Sequence, residues 1–247
     1  MKYLILSDMH ANHVALEAVL RRVRRKRFDA TLVLGDLVGY GAAPNQVVDA
    51  VRALPGRVVA VRGNHDKVAV GIDSGETFNH VALIAAQWTY RRLTRRNARH
   101  VHDLPRGPRE VADGLAICHG SPLDEDKYLF SDHDAAEVFT SWDVPLTFFG
   151  HTHVTSVFSL EGRTVRVRQL TGAGGELEIV PGNRYLVNPG SIGQPRDGDP
   201  RASYMTYDSD RRRVRWHRLD YPVERAQSRI RKAGLPDVLA DRLAAGV

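Results

Sequence analysis

Residues 1–36 read MKYLILSDMHANHVALEAVLRRVRRKRFDATLVLGD, and the pattern in this stretch decides the fold. Two apolar runs of strand length, residues 3–6 and 31–34, end in the polar clusters SDMH and GD. Between them, apolar residues at positions 16, 19, 20 and 23 follow the i, i+3, i+4, i+7 spacing of an amphipathic helix. The stretch therefore predicts a β-α-β unit with polar residues at the carboxyl ends of both strands.

The same pattern recurs further along the chain. Fully apolar strands that alternate with helices indicate a sheet buried on both faces, whose ligands bind beyond the carboxyl ends of the strands. The further apolar runs are residues 58–61 before RGNHD, 115–118 before HG, 146–149 before GHTH and 185–187 before NPGS.

From about residue 154 the texture changes to strands of alternating polarity joined by short turns, as in residues 154–160, 203–207 and 214–219. This half predicts a second, mostly antiparallel sheet. Pro222 and Pro236 introduce a final pair of helices. Since no flexible linker or repeat marks a boundary, we expect a single domain spanning residues 1–247.

The composition excludes several classes of protein. With 43% hydrophobic and 26% charged residues, the chain is neither disordered nor fibrous. The single cysteine, Cys118, cannot form an intrachain disulfide, and no secretory signal begins the sequence, so we expect a cytoplasmic protein. The longest apolar stretches fall far short of the roughly 20 residues that span a bilayer, which predicts no membrane partner.

The net charge of +6 is concentrated near the C-terminus. Residues 211–247 contain ten Arg or Lys against four Asp or Glu, a surplus of six that equals the excess of the whole chain. The other basic clusters, Arg21 to Arg27 and Arg91 to Arg99, adjoin apolar residues at helical spacing, which favours solvated helix faces. A nucleic-acid partner is thus the less favoured alternative.

Side chains able to bind a metal or move a proton gather at the predicted strand ends. Carboxylate, imidazole and amide ligands without thiolates suit Mn, Fe, Zn, Ni or Co, and exclude a zinc-finger type of site. In an extended segment, residues i and i+2 face the same side, so Asp8 with His10, and His151 with His153, are each expected to address one cavity. The full set is Asp8, His10, Asp36, Asn64, His65, His119, His151 and His153.

These residues resemble the motif pattern of the calcineurin-like metallophosphoesterase superfamily, and the flanking segments resemble its bacterial diadenosine-tetraphosphatase-like or protein-phosphatase-like branch. The resemblance implies a mixed α/β fold, a four-layer αββα sandwich of two mixed β-sheets. All five blocks of the pattern are present in order: Asp8-Met9-His10, Gly35-Asp36, Gly63-Asn64-His65-Asp66, His119-Gly120 and Gly150-His151-Thr152-His153.

The resemblance also implies two divalent metal ions, with Mn favoured and Fe, Zn, Ni or Co compatible. It assigns Asp8, His10, Asp36 and His153 to the first metal and Asp36, Asn64, His119 and His151 to the second. The implied activity is hydrolysis of phosphomonoester or phosphodiester bonds by a metal-bridged hydroxide. The partner is then a phosphate ester, for which a nucleotide is one candidate, whereas the oligomeric state stays open.

Three further residues are expected to take part in catalysis. His65 follows a metal-ligand position, so we expect its ring to point to the departing oxygen and to act as general acid. Asp66 is the candidate that orients this ring. Arg62 occupies a place where protein-phosphatase members also carry arginine, and it could clamp a phosphate oxygen in a bidentate way.

Each of these residues also has a purely structural interpretation, as a cap, a turn residue or a buried histidine. The alternative function is a catalytically weak, metal-bearing scaffold on the same fold. Cys118 lacks the arginine of a cysteine phosphatase loop and is expected to be a small buried hydrophobe. The turn at residues 188–191 is interpreted as structural, and Tyr40, Tyr128 and Phe130 either stack on a leaving group or cover the rim of the core.

Overall fold

The computed structural model describes residues 1–247, which form twelve strands and eight helices. No helix combines the length and the apolar character that crossing a membrane requires. In chain order the elements are β1 (Lys2–Leu6), α1 (His13–Val23), β2 (Ala30–Val33), α2 (Pro44–Arg52), β3 (Arg57–Ala60), α3 (Asn64–Ala69), α4 (His80–Arg92), α5 (Arg95–His102), β4 (Arg109–Ala112), β5 (Leu115–Ile117), α6 (Asp132–Ser141), β6 (Leu146–Phe148), β7 (Thr155–Glu161), β8 (Thr164–Gln169), β9 (Gly174–Glu178), β10 (Arg184–Pro189), β11 (Ala202–Asp208), β12 (Arg213–Leu219), α7 (Val223–Lys232) and α8 (Asp237–Ala245).

The strands form two mixed sheets of six strands each. The first sheet has the order β3-β2-β1-β11-β12-β9, and the second has the order β4-β5-β6-β10-β7-β8. Strands β1, β2 and β3 are parallel, whereas β11 pairs with β1 in the antiparallel direction. In the second sheet, β10 runs parallel to β6 and antiparallel to β7.

Three apolar cores separate four layers. The alternation of side chains along β1 directs Leu4 and Leu6 to a core shared with the helices, and Tyr3 and Ile5 to a core shared with the second sheet. A third core lies between the outer face of the second sheet and α6. The order of layers is helices, sheet, sheet, helix, which confirms the mixed α/β fold with two mixed sheets.

The prediction that the later strands form a separate antiparallel sheet is wrong. Strands β7, β8 and β10 complete the second sheet, but β9, β11 and β12 extend the first. The alternating pattern identified strands and their buried faces, yet it carries no information on which sheet a strand joins. Strands β4 and β9 were not predicted, because each has too few apolar residues to form a recognisable run.

The predicted helices are present. Helix α1 begins after Asn12, whose side chain accepts a hydrogen bond from the backbone N–H of Ala15. Pro222 and Pro236 immediately precede α7 and α8, as the sequence predicts.

Candidate metal centre

Five of the predicted ligand residues have the left-handed backbone conformation that residues other than glycine rarely adopt. The angle φ is 51° at Asp8, 44° at His10, 49° at Asp36, 68° at His151 and 60° at His153. The chain therefore turns sharply at these positions, and the expectation that neighbouring ligands converge because the segments are extended is wrong. Strained conformations of this kind concentrate at functional sites, where the surrounding structure enforces them.

The first cluster consists of Asp8, His10, Asp36 and His153, all buried, whose ligand atoms lie within 4.8 Å of one another. Nε2 of His10 is 3.0 Å from Nε2 of His153 and 3.4 Å from Oδ2 of Asp36. Nε2 of His153 is 3.3 Å from Oδ1 of Asp8. Two carboxylates and two imidazoles thus face one point.

The second cluster consists of Asp36, His119 and His151, with Asn64 beside them. Nε2 of His119 is 3.4 Å from Oδ2 of Asp36, 3.1 Å from Oδ1 of Asn64 and 3.1 Å from Nδ1 of His151. The same Asp36 oxygen therefore approaches both clusters. The structure brings together all seven residues that the sequence nominates as metal ligands.

Backbone carbonyl groups determine which nitrogen of each imidazole carries hydrogen. A carbonyl oxygen only accepts, so the ring nitrogen that faces it must be the N–H donor, and the other nitrogen keeps its lone pair in the neutral ring. The four pairs are His10 Nδ1 with the Val38 oxygen at 3.2 Å, His119 Nδ1 with Leu34 at 2.7 Å, His151 Nε2 with Asp126 at 3.0 Å, and His153 Nδ1 with Gln194 at 2.6 Å.

At the first cluster these assignments leave two lone pairs directed at each other, because His10 and His153 approach at 3.0 Å through the nitrogens that carry no hydrogen. Two acceptors at such a distance repel each other unless a cation lies between them. Hydrogen bonds from the remote nitrogen of a histidine to a carbonyl are the usual outer contacts of metal-bound imidazoles. The donor set therefore fits divalent metal ions, one at each cluster.

The electrostatics of the site favour positive charge. Burial alone would raise the pKa of Asp36, but the imidazoles of His119, His65 and His10 hold it well below its ordinary value. Burial alone would lower the pKa of His119, but Asp36 and Asp8 raise it to about 10. In the absence of a metal, a proton on His119 therefore supplies the positive charge that Asp36 and Asp8 favour, and a divalent ion at the second cluster would replace it.

His65 lies in an aromatic surround beside the first cluster. Its ring centroid is 4.3 Å from that of Tyr40, 4.5 Å from that of Phe78 and 4.9 Å from that of His10. Nδ1 of His65 is buried and has no hydrogen-bond partner in the protein. Burial lowers the pKa of His65 to about 4, so the ring is neutral at pH 7.

The structure places Asp66 against the backbone rather than against the ring of His65. Its two carboxylate oxygens accept hydrogen bonds from the N–H groups of Val38 and Gly63, each at 3.1 Å. Burial, followed by the nearby charge of Asp36, raises the pKa of Asp66 to about 7. Asp66 thus joins the two loops that follow β2 and β3.

Arg62 forms a bidentate ion pair with Glu125. Its Nε and Nη2 donate to the two carboxylate oxygens of Glu125 at 3.1 and 2.9 Å, and Lys67 donates to the same carboxylate at 3.3 Å. These contacts hold the loop of residues 121–130. The carbonyl of Asp126 in this loop accepts the His151 hydrogen bond described above.

The same loop presents two exposed aromatic rings next to the second cluster. Tyr128 stacks on His151 with ring centroids 3.8 Å apart, and Phe130 stacks on Tyr128 at 5.3 Å with an interplanar angle of 11°. Tyr128 is 42% exposed and Phe130 is 60% exposed. Tyr40, by contrast, is buried against His10 and His65.

The segment after β10, for which the sequence predicts only a turn, also makes contacts that support the metal centre. Asn188 Nδ2 donates to the Gly150 carbonyl at 2.6 Å, and Ser191 Oγ donates to the Asp8 carbonyl at 2.7 Å. Gln194 and Arg196 lie further along the same segment, beside His153. The sequence signal that could have indicated these contacts is the group of Asn, Ser, Gln and Arg residues around the turn in NPGSIGQPR.

Comparisons with known proteins identify the family and the fold of the chain. The model of the calcineurin-like phosphoesterase superfamily domain matches residues 1–212. The chain is 35% identical over 246 residues to Uncharacterized protein MJ0912 of Methanocaldococcus jannaschii, covering 98% of this chain and 97% of that protein. The crystal structure of a metallophosphoesterase from Sphaerobacter thermophilus is similar over 100% of this chain and 99% of its own, with 41% identity and a TM-score of 0.88. Protein PH1004 of Pyrococcus horikoshii OT3 shares the fold, with a TM-score of 0.81 at 17% identity over 100% of this chain and 98% of its own.

Proposed function

The chain belongs to the calcineurin-like phosphoesterase superfamily, and we propose that it hydrolyses phosphate esters with two divalent metal ions. The observation that carries this proposal is the pair of acceptor clusters that share one oxygen of Asp36. Asp8, His10, Asp36 and His153 would hold one ion, and Asp36, Asn64, His119 and His151 the other. Mn is the favoured metal, because oxygen and imidazole donors without thiolate suit it.

When bound, such ions lower the pKa of water and offset the negative charge that develops on phosphate oxygens. The chain's own residues set the charge of the site. Asp8 and Asp36 are its only carboxylate ligands, and Asn64 supplies a neutral oxygen in a place where a third carboxylate would cancel more charge. Two divalent ions would therefore leave the site positive, which favours binding of an anionic phosphate.

We assign to His65 the delivery of a hydrogen to the departing oxygen. The ring is neutral at pH 7 in the free protein, and its Nδ1 is buried without a partner. A phosphate anion next to the ring would raise its pKa and favour the protonated form. A positioned acid of this kind contributes roughly 10²- to 10⁴-fold to the rate, and more for poor leaving groups.

Asp66 and Arg62 act as positioning residues in this proposal. Asp66 fixes the backbone on which Asn64 and His65 lie, through its bonds to Val38 and Gly63. Arg62 holds the loop of residues 121–130 through Glu125. A direct clamp of Arg62 on phosphate would require that ion pair to open.

The parallel rings of Tyr128 and Phe130 support a substrate whose leaving group is flat. Exposed aromatic faces beside a phosphate site can stack on a nucleobase, and such contacts contribute about 1–3 kcal/mol per base. A nucleotide ester is therefore the substrate that we favour within the broader class.

The proposal is tested by hydrolysis of p-nitrophenyl phosphate and bis-p-nitrophenyl phosphate by protein stripped with chelator and refilled with Mn²⁺. We expect turnover only after refilling, and the ratio of the two rates separates monoester from diester preference. The D36N variant should lose turnover, because both clusters need the Asp36 oxygens. The H65Q variant should retain bound metal and lose rate, most strongly on alkyl esters with poor leaving groups.

A metal-bearing scaffold is the alternative. It predicts that metal binds with the same stoichiometry and that no ester is hydrolysed with Mn²⁺, Fe²⁺, Co²⁺, Ni²⁺ or Zn²⁺. That result would overturn the proposed hydrolase.

A further inference from the structure

Unpartnered buried polar atoms concentrate on one side of the metal centre. Only four buried side-chain nitrogen or oxygen atoms in the chain lack a hydrogen-bond partner. Three of them, on His65, Gln194 and Arg196, belong to residues around Tyr40 and the first cluster, and two of those three are obligatory donors, Nε2 of Gln194 and Nε of Arg196. Buried donors without acceptors are costly, so a native site that keeps them is built to receive an acceptor.

The orientation of Gln194 follows from its neighbour. Its side chain is 1% exposed, and its Oε1 accepts from Nη2 of Arg196 at 3.4 Å. An arginine cannot accept a hydrogen bond, so the amide oxygen must face Arg196 and the amide nitrogen must point elsewhere. The free N–H₂ of Gln194 is thus a fixed donor.

Arg196 carries a positive charge that no carboxylate neutralises. Its contacts are with neutral groups: the hydroxyl of Tyr40 at 3.2 Å, the Tyr40 ring with its centroid 5.7 Å from Cζ, the amide oxygen of Gln194 and the hydroxyl of Tyr128. By contrast, Arg201 is paired with Asp199 and Arg218 with Asp197. An unpaired, half-buried guanidinium favours an anion from outside the chain.

We propose that Gln194 and Arg196 form a subsite for a second, non-scissile phosphate group of the substrate. This inference rests on the proposed function, since the first phosphate is the one that the metal centre receives. The guanidinium contacts the Tyr40 hydroxyl and lies over the Tyr40 ring, with Cζ 5.7 Å from the centroid, and the same ring packs on His10 and His65, so Tyr40 separates the subsite from the first cluster. Substrates with two linked phosphate groups fit this offset better than simple monoesters.

The test compares two ligands that share the adenosine part and carry a phosphorus–carbon bond; because both keep the ester to the 5′ oxygen, chromatography after each titration confirms that the ligand is intact. α,β-Methylene-ADP carries two phosphorus groups and adenosine 5′-methylphosphonate carries one, so stacking on Tyr128 and Phe130 cancels in the comparison. Binding to the Mn²⁺-loaded protein is measured by calorimetry. We expect the wild type to bind the two-phosphorus ligand more tightly.

The R196M variant should weaken binding of α,β-methylene-ADP by about 10- to 100-fold, the size of a charged hydrogen bond, and change binding of the methylphosphonate by less than about 3-fold. Q194L should weaken it in the same direction by a smaller factor. R201M is the matched control, because Arg201 lies in the same segment but is paired with Asp199. Equal losses for both ligands, or no loss with either, would overturn the subsite.

Folding of each variant is checked by its melting curve. If R196M does not fold, R196K takes its place, since lysine keeps the charge but not the planar fork, and we then expect a selective loss of about 3-fold or more for the two-phosphorus ligand. These are binding measurements and need no turnover. If the wild type hydrolyses nothing but R196M still loses the preference for two phosphorus groups, the hydrolase proposal fails and the subsite stands.

Discussion

Replacing Gly63 by alanine should damage the metal centre through crowding alone. The backbone there has φ of −105° and ψ of 175°, which alanine adopts without strain. A Cβ atom at this position would lie 2.5 Å from the Asp36 nitrogen, 2.6 Å from the Asp36 Cγ and closer still to Oδ1. Such contacts are impossible, and the neighbour that must move is the residue shared by both clusters.

The loss in the free energy of unfolding follows from the contacts that are broken when Asp36 moves. Oδ1 of Asp36 accepts the backbone N–H of His65 at 2.9 Å. Overpacking of a filled site costs about 1–3 kcal/mol, and a hydrogen bond to a charged group contributes about 1.5–3 kcal/mol. A loss of roughly 4 kcal/mol lowers Tm by about 8–16 °C in a protein of this size.

The assay combines thermal melting of the chelated protein with calorimetric titration of Mn²⁺. We expect G63A to melt lower and to bind Mn²⁺ at least about tenfold more weakly, because each 1.4 kcal/mol corresponds to a factor of ten. The control is G162A, where φ is 62° and no atom lies within 4 Å of a new Cβ. That variant should lose about 1–2 kcal/mol from backbone strain and bind metal normally. Wild-type metal affinity in G63A would refute the reasoning.

Three further predictions concern the effect of metal on thermal stability, the reactivity of the Cys118 thiol, and the loss of stability in acid. Chelation should lower Tm, because free Mn²⁺ at 100 times its Kd adds about 2.7 kcal/mol per site, and identical melting curves with and without Mn²⁺ would contradict metal binding. Burial raises the pKa of the Cys118 thiol, so it should react with a disulfide reagent only in denaturant; rapid reaction of the native protein would disprove this. Burial alone would raise the pKa of Glu125, yet Arg62 and Lys67 lower it. The ionised carboxylate therefore stabilises the folded protein fully at pH values above its ordinary pKa of 4.5. This stabilisation is lost as the pH falls through the lowered pKa of the folded state. E125Q should therefore be about 1–2 kcal/mol less stable at pH 7, and its urea midpoint should approach that of the wild type in acid, whereas a constant difference down to pH 3 would argue against the ion pairs.

The donor residues of the metal centre could be predicted because two signals coincide in the sequence. An apolar run predicts a strand, and the polar residues that directly follow it are the candidate metal ligands. The parallel order of β1, β2 and β3 then follows from the helices between them, which brings the ends of these strands to one edge. The four layers followed from the family resemblance, whereas the local pattern predicted strands and helices but not how the strands divide between the sheets.

The geometry at the donors could not be predicted. The left-handed conformations of Asp8 and His153 are imposed by contacts from the segment after β10, where Ser191 Oγ donates to the Asp8 carbonyl and the Arg196 N–H donates to the His153 carbonyl at 3.2 Å. These contacts join residues that are 183 and 43 positions apart, so the sequence around Asp8 or His153 does not predict them. The partner of a strand is equally non-local, which is why β11 and β12 join the sheet of β1 instead of forming a separate sheet with β7 and β8.

The central positions of β10 and β11 have a consequence for the order of events during synthesis. All seven donor residues have been translated once residue 153 leaves the ribosome. The strands that lie beside β1 and between β6 and β7 come later, at residues 184–189 and 202–208. A nascent chain would thus expose its imidazoles and carboxylates before β10 and β11, which hold these side chains in place, have been synthesised. Contacts between residues so distant in sequence also form slowly. We therefore expect metal to be acquired after release of the finished chain, so the supply of ions at that moment, rather than during elongation, decides which metal the protein carries.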